Sequence, residues 1–247
     1  MTGLRPLDHR WKEALSLRRR QAPEFYEANT AIEPGPHADA IRFALSDLDL
    51  AAVFCIEGVP TIGFLNEPDS TSERIDHVHR TLWNQGLMSL LLVIGDDKLT
   101  AYSLVQRPLR RREESAPQQD PRLITTLSLL ADALKLRELI GSTESGRFWY
   151  ENDRFFDPTQ RVDSVLLDNL LNAFREINED LGSDGAQALL MQTMFIAYLE
   201  DRRIVTSEVF KETCGSTFST FHDVLAAKST APFERLFVWL KAAFNGN

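Results

Sequence analysis

The sequence predicts an α/β module followed by a helical bundle, and three observations support this fold class. Short apolar segments between Asp47 and Tyr102 follow the order strand, strand, helix, strand, strand. A stretch rich in charge, glutamine and proline follows at 107–121, which predicts a linker. Beyond it, apolar residues recur at helical spacing almost to the end of the chain. These limits place the α/β module at 1–106 and the helical bundle domain at 122–247.

Two helices are expected before the sheet. Asp8 is the predicted N-cap of a helix over 8–20, and Trp11 and Leu15 fall on one apolar face of that helix. A second helix is predicted over 37–47, where the apolar residues again follow helical spacing.

The sheet is predicted from four apolar segments and one intervening helix. Its strands are expected at 51–56, 61–65, 88–94 and 98–105. The first two form a hairpin, and the third is a nearly unbroken apolar run, which is typical of a strand covered on both faces. The helix over 72–85 is expected to end at Gly86.

The rest of the chain is predicted to be helical. One helix is expected over 121–139, before Gly141. The next begins at Pro158 and ends at Gly182, and a further helix starts at Asp184. That last helix is apolar on most sides until Glu200, which predicts the centre of the bundle. Two shorter helices are expected near 218–227 and 232–244.

The formal net charge is −9, and acidic residues exceed basic ones in both halves of the chain. Bulk charge therefore argues against a basic nucleic-acid module, and any DNA contact needs a local cationic patch. Two arginine runs are candidates for contacts to DNA phosphates, with solvated surface as the alternative interpretation. They comprise Arg18, Arg19, Arg20, Arg107, Arg110, Arg111 and Arg112.

Composition also bears on the compartment. No apolar run is long enough to span a bilayer, and the N-terminus has no apolar core of a signal peptide, so no membrane contact is expected. Cys55 and Cys214 lie in different segments, which predicts two buried thiols in a reducing cytoplasm.

Motifs for several chemistries are missing from the sequence. It contains no glycine-rich nucleotide loop and no Gly-x-Ser-x-Gly element. His77 and His79 are two apart on a predicted helix and point to different faces, so they are poor metal partners. We therefore predict no catalytic residue, no metal site and no cofactor in this chain.

A metal-dependent nuclease of the strand order described above needs an acid near the first turn and an acid-x-lysine pair on the second strand. That second strand here reads Ile-Gly-Phe-Leu-Asn over 62–66. One alternative stays open, a Mg²⁺-dependent nuclease with an unorthodox site built from Asp47, Asp49 and Glu57.

Three further clusters combine aromatic and polar residues. Their ordinary interpretations are a buried tryptophan with a helix cap, a set of aromatic core residues, and an ion-pair network at a helix end. The clusters are Trp83-Asn84-Gln85-Gly86, Arg147-Phe148-Trp149-Tyr150 and Tyr198-Leu199-Glu200-Asp201-Arg202-Arg203.

The order of these clusters resembles the N-terminal region of adenine-specific (N6) DNA methyltransferases of the restriction–modification type. The similarity rests on LWNQG, a strand pair, ESGRFW, FIAYLEDRRIV and the terminal LFVWLKAAFNGN, and it runs from about residue 37 to the end. The positions that match the family motifs are Trp83, Asn84, Gln85, Arg147, Trp149, Tyr198, Glu200, Asp201 and Arg202. The strand order also resembles a degenerate PD-(D/E)xK nuclease module, and its Glu-x-Lys positions fall near Phe64 and Asn66, or one residue earlier.

This resemblance implies a restriction-endonuclease-like α/β module, in degenerate form, followed by a helical bundle. It implies a non-catalytic region of a phage-defence protein that contacts duplex DNA and a methyltransferase catalytic domain or subunit. The sequence ends before the family's catalytic motif, so S-adenosylmethionine is implied only for that catalytic part. A protein-interaction scaffold for a separate methyltransferase subunit is the remaining alternative, and it predicts exposure of Phe237, Leu240 or Phe244.

Overall fold

The computed structural model describes residues 6–66, 72–109 and 120–244. The chain divides into a first unit, Met1–Leu167, and a second unit, Asp168–Asn247. Strands of the first unit are β1 (Phe25–Glu27), β2 (Ala52–Ile56), β3 (Val59–Asn66), β4 (Leu90–Ile94), β5 (Lys98–Ser103) and β6 (Leu123–Ser128). Helices that begin in it are α1 (His9–Ala14), α2 (Ala38–Ser46), α3 (Ser72–Gln85), α4 (Ala133–Glu144), α5 (Arg147–Glu151) and α6 (Val162–Asp201). The remaining helices are α7 (Ser207–Cys214), α8 (Phe221–Ala226) and α9 (Thr230–Phe244).

The strands form one mixed sheet in the order β1-β2-β3-β4-β5-β6. Strands β3 and β4 are parallel, and α3 connects them, whereas every other neighbouring pair is antiparallel. The hairpin between β2 and β3 turns at Glu57 and Gly58, which have φ values of 52° and 79°. Two consecutive positive φ values are typical of the tight turns whose twist matches that of paired strands.

Two apolar layers cover the sheet, one on each face. Alternate residues of β4 enter different layers, because side chains alternate along a strand. Leu90, Leu92 and Ile94 pack in the layer that contains residues of α1 and α4. Leu91 and Val93 pack in the layer that contains residues of α2 and α3. The prediction that this apolar run is a strand covered on both faces is confirmed.

Several local predictions are confirmed. The predicted helix over 72–85 coincides with α3, and Gly86 follows it with a φ of 67°, as expected for a glycine at a helix end. Asp8 is the N-cap of α1, and its Oδ1 accepts a hydrogen bond from the Arg10 amide. Both cysteines are free and buried.

The helix expected over 121–139 is corrected by the structure, and residues 110–119 of the expected linker lie outside the described residues. Residues Leu123–Ser128 form β6, which pairs with β5, and the helix α4 begins only at Ala133. The β-branched residues of Leu-Ile-Thr-Thr-Leu-Ser favour an extended chain, and the open edge of β5 supplies their hydrogen-bond partners. The strand β6 belongs to the first unit, whose division from the second falls at Leu167 and Asp168, and the linker over 107–121 stays a prediction.

Two further limits differ from expectation. The first helix ends at Ala14 rather than near residue 20, and Ser16 has a φ of 58°. Strand β1 was not predicted, because three residues are too few to show an alternating pattern.

The second unit has its own apolar core. Ile196 and Leu199 of α6 pack there against buried residues of α7, α8 and α9. Within α6, Gly182 has φ 70° and ψ 170°, so the helix is kinked where the sequence predicts the end of one helix and the start of another. Among the described residues, no helix is both long enough and apolar enough to cross a bilayer.

Candidate functional site

The position where a nuclease of this layout would hold its acid-x-lysine pair lies on β3. Phe64 has no exposed surface there, and its ring packs edge to face on Phe25 with 6.0 Å between centroids. The Asn66 Nδ2 donates a hydrogen bond to the Pro6 carbonyl oxygen at 3.4 Å. The two positions therefore carry a buried aromatic residue and an amide.

The acids of the alternative nuclease site lie at opposite ends of β2. Asp47 and Asp49 precede this strand, and Glu57 is exposed in the turn after it. A strand advances by about 3.3 Å per residue, so the five residues of β2 separate its ends by about 13 Å. Metal–oxygen bonds of about 2.0–2.6 Å cannot bridge that distance. In the described part of the chain, no group of three or more His, Cys, Asp or Glu could hold a metal ion.

The first arginine run is partly engaged within the fold. Arg20 donates to Glu24 at 2.6 Å and to Glu144 at 2.9 Å, and its guanidinium lies 5.7 Å from the centroid of the Phe54 ring. The hydrogen bond to Glu24 raises the pKa of Arg20, and the charge of Glu144 acts in the same direction. Arg20 therefore has a structural role that ties the segment before β1 to β2 and α4.

The other arginines of the two runs differ in their contacts. Arg18 contacts His9 and forms an exposed ion pair with Glu13 at 3.3 Å. Arg19 and Arg107 are exposed, and neither has an ion pair or hydrogen bond with another described residue. They are therefore the available cations of the runs. Arg110, Arg111 and Arg112 lie outside the described residues.

A buried arginine that the sequence reasoning missed lies beside β5 and α3. Arg122 is 2% exposed, and its guanidinium donates to Asp120 at 2.7 Å and to Asp76 at 2.6 Å. The guanidinium carbon also lies 5.8 Å from the centroid of the Tyr102 ring. Burial opposes ionisation of Asp120, but the hydrogen bonds from Arg122 outweigh it and lower the pKa of this carboxyl group. The ion pair between Arg122 and Asp76 connects the start of β6 to α3.

His79 completes this buried polar cluster. It has no exposed surface, and its Nε2 donates to the Ser103 carbonyl oxygen at 2.8 Å. A carbonyl oxygen only accepts, so the neutral ring carries its proton on Nε2. The Ser103 amide donates in turn to the Arg122 carbonyl oxygen at 2.9 Å. His79 Nδ1 and Arg122 Nη1 are buried without a hydrogen-bond partner among the described residues. His77 is exposed, so the two histidines do face different ways.

One sequence signal could have indicated this cluster. Asp120 accepts from the Arg122 amide at 2.9 Å as well as from its guanidinium, which is a local turn typical of aspartate before proline. The same Asp-Pro-Arg was interpreted as the end of a linker and the start of a helix. Asp76 is 46 residues away, and sequence patterns do not show such a pairing.

Removing the buried cation should destabilise the first unit. We expect Arg122→Met to lower the free energy of unfolding by about 2–3 kcal/mol, because it leaves the carboxylates of Asp76 and Asp120 without their partner. This estimate lies below the full cost of breaking a buried pair, since the two aspartates are 34% and 25% exposed. Urea unfolding followed by circular dichroism measures the change.

The matched control is Arg42→Met, which removes an arginine from an exposed pair with Asp39. It should cost no more than about 0.5 kcal/mol. Equal losses in the two variants would contradict the structural role of Arg122.

The first family-motif positions have structural contacts. Trp83 Nε1 donates to the carbonyl oxygens of Val105 at 3.2 Å and Gln160 at 3.0 Å. Asn84 is exposed, and the Gln85 Oε1 is buried without a partner among the described residues. Trp83 borders a small cavity of about 10 Å³, which is room for about one water molecule.

The middle cluster is an aromatic core. The rings of Phe148, Trp149 and Phe156 meet edge to face, with 4.8 Å between the centroids of Trp149 and Phe156. Trp149 Nε1 donates to the Thr143 carbonyl oxygen at 3.0 Å. Arg147 forms an exposed pair with Glu138 at 2.9 Å. This packing agrees with the interpretation of Phe148 and Trp149 as core residues, whereas Tyr150 is 86% exposed and does not belong to the core.

The last cluster differs from the expected ion-pair network. Glu200 accepts hydrogen bonds from the Phe221 amide at the start of α8, at 3.3 Å. Arg202 lies over the exposed Tyr198 ring at 5.4 Å, and Asp201 is exposed. The matching Asn245-Gly246 lies outside the described residues. In the described part of this cluster, the helix end is held by a carboxylate cap and a cation–π contact rather than by ion pairs.

The fold and the site together define a class: an α/β unit with a six-stranded mixed sheet in its described residues, joined to a helical unit. Comparison with known proteins gave no matching family model, no similar curated protein and no similar solved structure.

Proposed function

We propose that this chain is a non-catalytic region of a restriction–modification protein of the DNA adenine methyltransferase type, and that it contacts duplex DNA without cutting it. The proposal rests on two observations taken together: the order and direction of the strands in the sheet, and the residues that β3 carries. Parallel β3 and β4 joined through α3 agree with a restriction-endonuclease-like module, and β3 carries Phe64 and Asn66 where such a nuclease needs an acid and a lysine. Function depends on the site rather than on the fold, so a module without these charged groups is not expected to cut DNA.

The proposed DNA contacts are to phosphates. Arg19 and Arg107 are exposed and available, whereas the guanidinium of Arg20 is held by Glu24 and Glu144. Phosphate contacts position a protein on DNA without reading its sequence. The proposal assigns S-adenosylmethionine to the methyltransferase catalytic domain or subunit that acts with this chain.

Duplex binding should depend strongly on salt. We expect a gel-shift titration of the full chain to show binding at about 50 mM salt that weakens towards about 200 mM salt. Each arginine that contacts a phosphate contributes about 0.9 to the slope of log affinity against log salt. We therefore expect Arg19→Ala and Arg107→Ala each to reduce that slope by about 1 and to weaken binding for all sequences alike.

The matched control is Arg42→Ala, which removes an exposed arginine of α2, on the other face of the sheet from α1. It should leave the slope unchanged. No binding at low salt, or an affinity that does not change with salt, would contradict the proposed DNA contact.

A further inference from the structure

The half of α6 after Gly182 is apolar on two sides. One side contributes Ile196 and Leu199 to the core of the second unit. The other side is exposed: Met191 has 63% of its surface accessible, Phe195 has 45% and Tyr198 has 54%. A helix that is apolar all round is expected inside a protein or an interface, so the exposed side calls for a partner.

Six of the exposed residues lie along one line on the helix, which we call the seam, and the exposed Met194 lies beside that line. The seam consists of Asp184, Ala188, Met191, Phe195, Tyr198 and Arg202, all exposed. Successive members are four, three, four, three and four residues apart, which is the spacing of the contact line in a two-stranded coiled coil. The contact of the Arg202 guanidinium with the Tyr198 ring at 5.4 Å places Arg202 on the same side of the helix.

The seam can pair with the seam of a second copy that runs in the opposite direction. The midpoint of the seam falls between Met191 and Phe195, so two antiparallel copies place Asp184 of one copy opposite Arg202 of the other. Ala188 then faces Tyr198, a small side chain against a large one, and Met191 faces Phe195. A parallel arrangement would instead set aspartate against aspartate and arginine against arginine, and like charges in contact are unfavourable.

We propose that the partner of this seam is a second copy of the chain, bound through antiparallel packing of the two α6 segments about a two-fold axis that passes between Met191 and Phe195. The two outer layers are Asp184–Arg202 ion pairs, and the inner layers are the apolar pairs described above. Phe244 widens the apolar surface, since its ring lies 5.8 Å from that of Phe195 and is itself 44% exposed. Interfaces formed by the same patch on both subunits are the commonest in homodimers.

Charge reversal tests this arrangement with a built-in rescue. We expect sedimentation equilibrium of the full chain to show a concentration-dependent dimer. Asp184→Arg alone and Arg202→Asp alone should each weaken the dimer at least about tenfold, because each sets like charges opposite each other. The double variant Asp184→Arg with Arg202→Asp should recover the dimer, since the opposite charges are restored in exchanged positions.

Two further variants keep the result interpretable. Phe195→Ser should weaken the dimer without changing the seam charges, and Glu212→Arg, an exposed charge reversal on α7, should leave it unchanged. Circular dichroism checks that each variant is folded. A chain that is monomeric at all concentrations overturns the proposal. So does a dimer that the single charge reversals and Phe195→Ser leave intact, or one that the double variant does not recover. The DNA-binding test above is independent of these outcomes.

Discussion

Replacing Phe64 with glutamate is expected to unfold the first unit rather than to create a metal site. The side chain at this position has no exposed surface and lies within the apolar layer beside Phe25. The variant loses the packing of a buried aromatic ring, which alone costs about 3–5 kcal/mol. It also buries a carboxylate without a partner, which adds to that cost. We expect a loss of at least about 4 kcal/mol in the free energy of unfolding, measured by urea denaturation.

The matched control for this variant is Val59→Glu, which places a carboxylate on the same strand at a position that is 43% exposed. It should cost less than about 1 kcal/mol. The combination Phe64→Glu with Asn66→Lys recreates the acid-x-lysine letters and should still give no Mg²⁺-dependent cleavage of plasmid DNA. Wild-type stability of Phe64→Glu, or cleavage by the combined variant, would show that this strand position is not a core position.

Acidification should destabilise the protein through His79. Burial lowers the pKa of this side chain from 6.5 to about 4, while its hydrogen bond to Ser103 opposes the shift. The charge of Arg122 acts with burial, and the carboxylates of Asp120 and Asp76 act against it. These are the charged groups that face the ring.

The sign of the pH dependence follows from which state binds the proton. Above pH 6.5 His79 is neutral in both the folded and the unfolded state, so it contributes no pH dependence. Between pH 6.5 and about pH 4 the unfolded state binds a proton that the folded state does not. Stability should therefore fall across this window, by about 1.4 kcal/mol per pH unit where the slope is steepest, or about 3 kcal/mol in all.

His79→Gln isolates this contribution, because glutamine does not titrate and can still donate to the Ser103 carbonyl oxygen. Its free energy of unfolding should fall by about 3 kcal/mol less than that of the wild type over the window. His77→Gln makes the same change at an exposed histidine two residues earlier. It should leave the dependence of the free energy of unfolding on pH the same as in the wild type. If the free energy of unfolding changed with pH in the same way in His79→Gln and in the wild type, the proposed role of the buried ring would be contradicted.

Local patterns predicted elements whose signals are strong over their own length. The nearly unbroken apolar run before Gly95 predicted a strand whose two faces are both buried. The apolar residues of α2 and α3 follow helical spacing over the length of each helix. The sequence predicts that one helix ends at Gly182 and another begins at Asp184, and the structure has a kink at Gly182, because glycine adopts a positive φ without the steric cost that other residues meet.

The polar cluster around Arg122 shows where local patterns fail. Its pairing with Asp76 joins β6 to α3 across a long stretch of chain, and nothing in either segment alone marks the partner. The hydrogen bond of Arg20 to Glu144 was missed for the same reason, because the two residues are 124 positions apart in the chain. A side chain's charge is visible in the sequence, but its counter-ion is set by the fold.

The sequence by itself determined the class of the protein: alternating and helical apolar patterns required a sheet with two covered faces and a helical second part. It also showed that the second predicted strand, which is β3, carries Phe64 and Asn66 and no acid-x-lysine pair. Only the tertiary structure decided that β6 joins the sheet, that Arg122 and His79 are buried together, and that one side of α6 remains exposed. Hydrophobic periodicity is a property of neighbouring residues, whereas strand pairing, ion pairing and burial depend on contacts between segments distant in the chain.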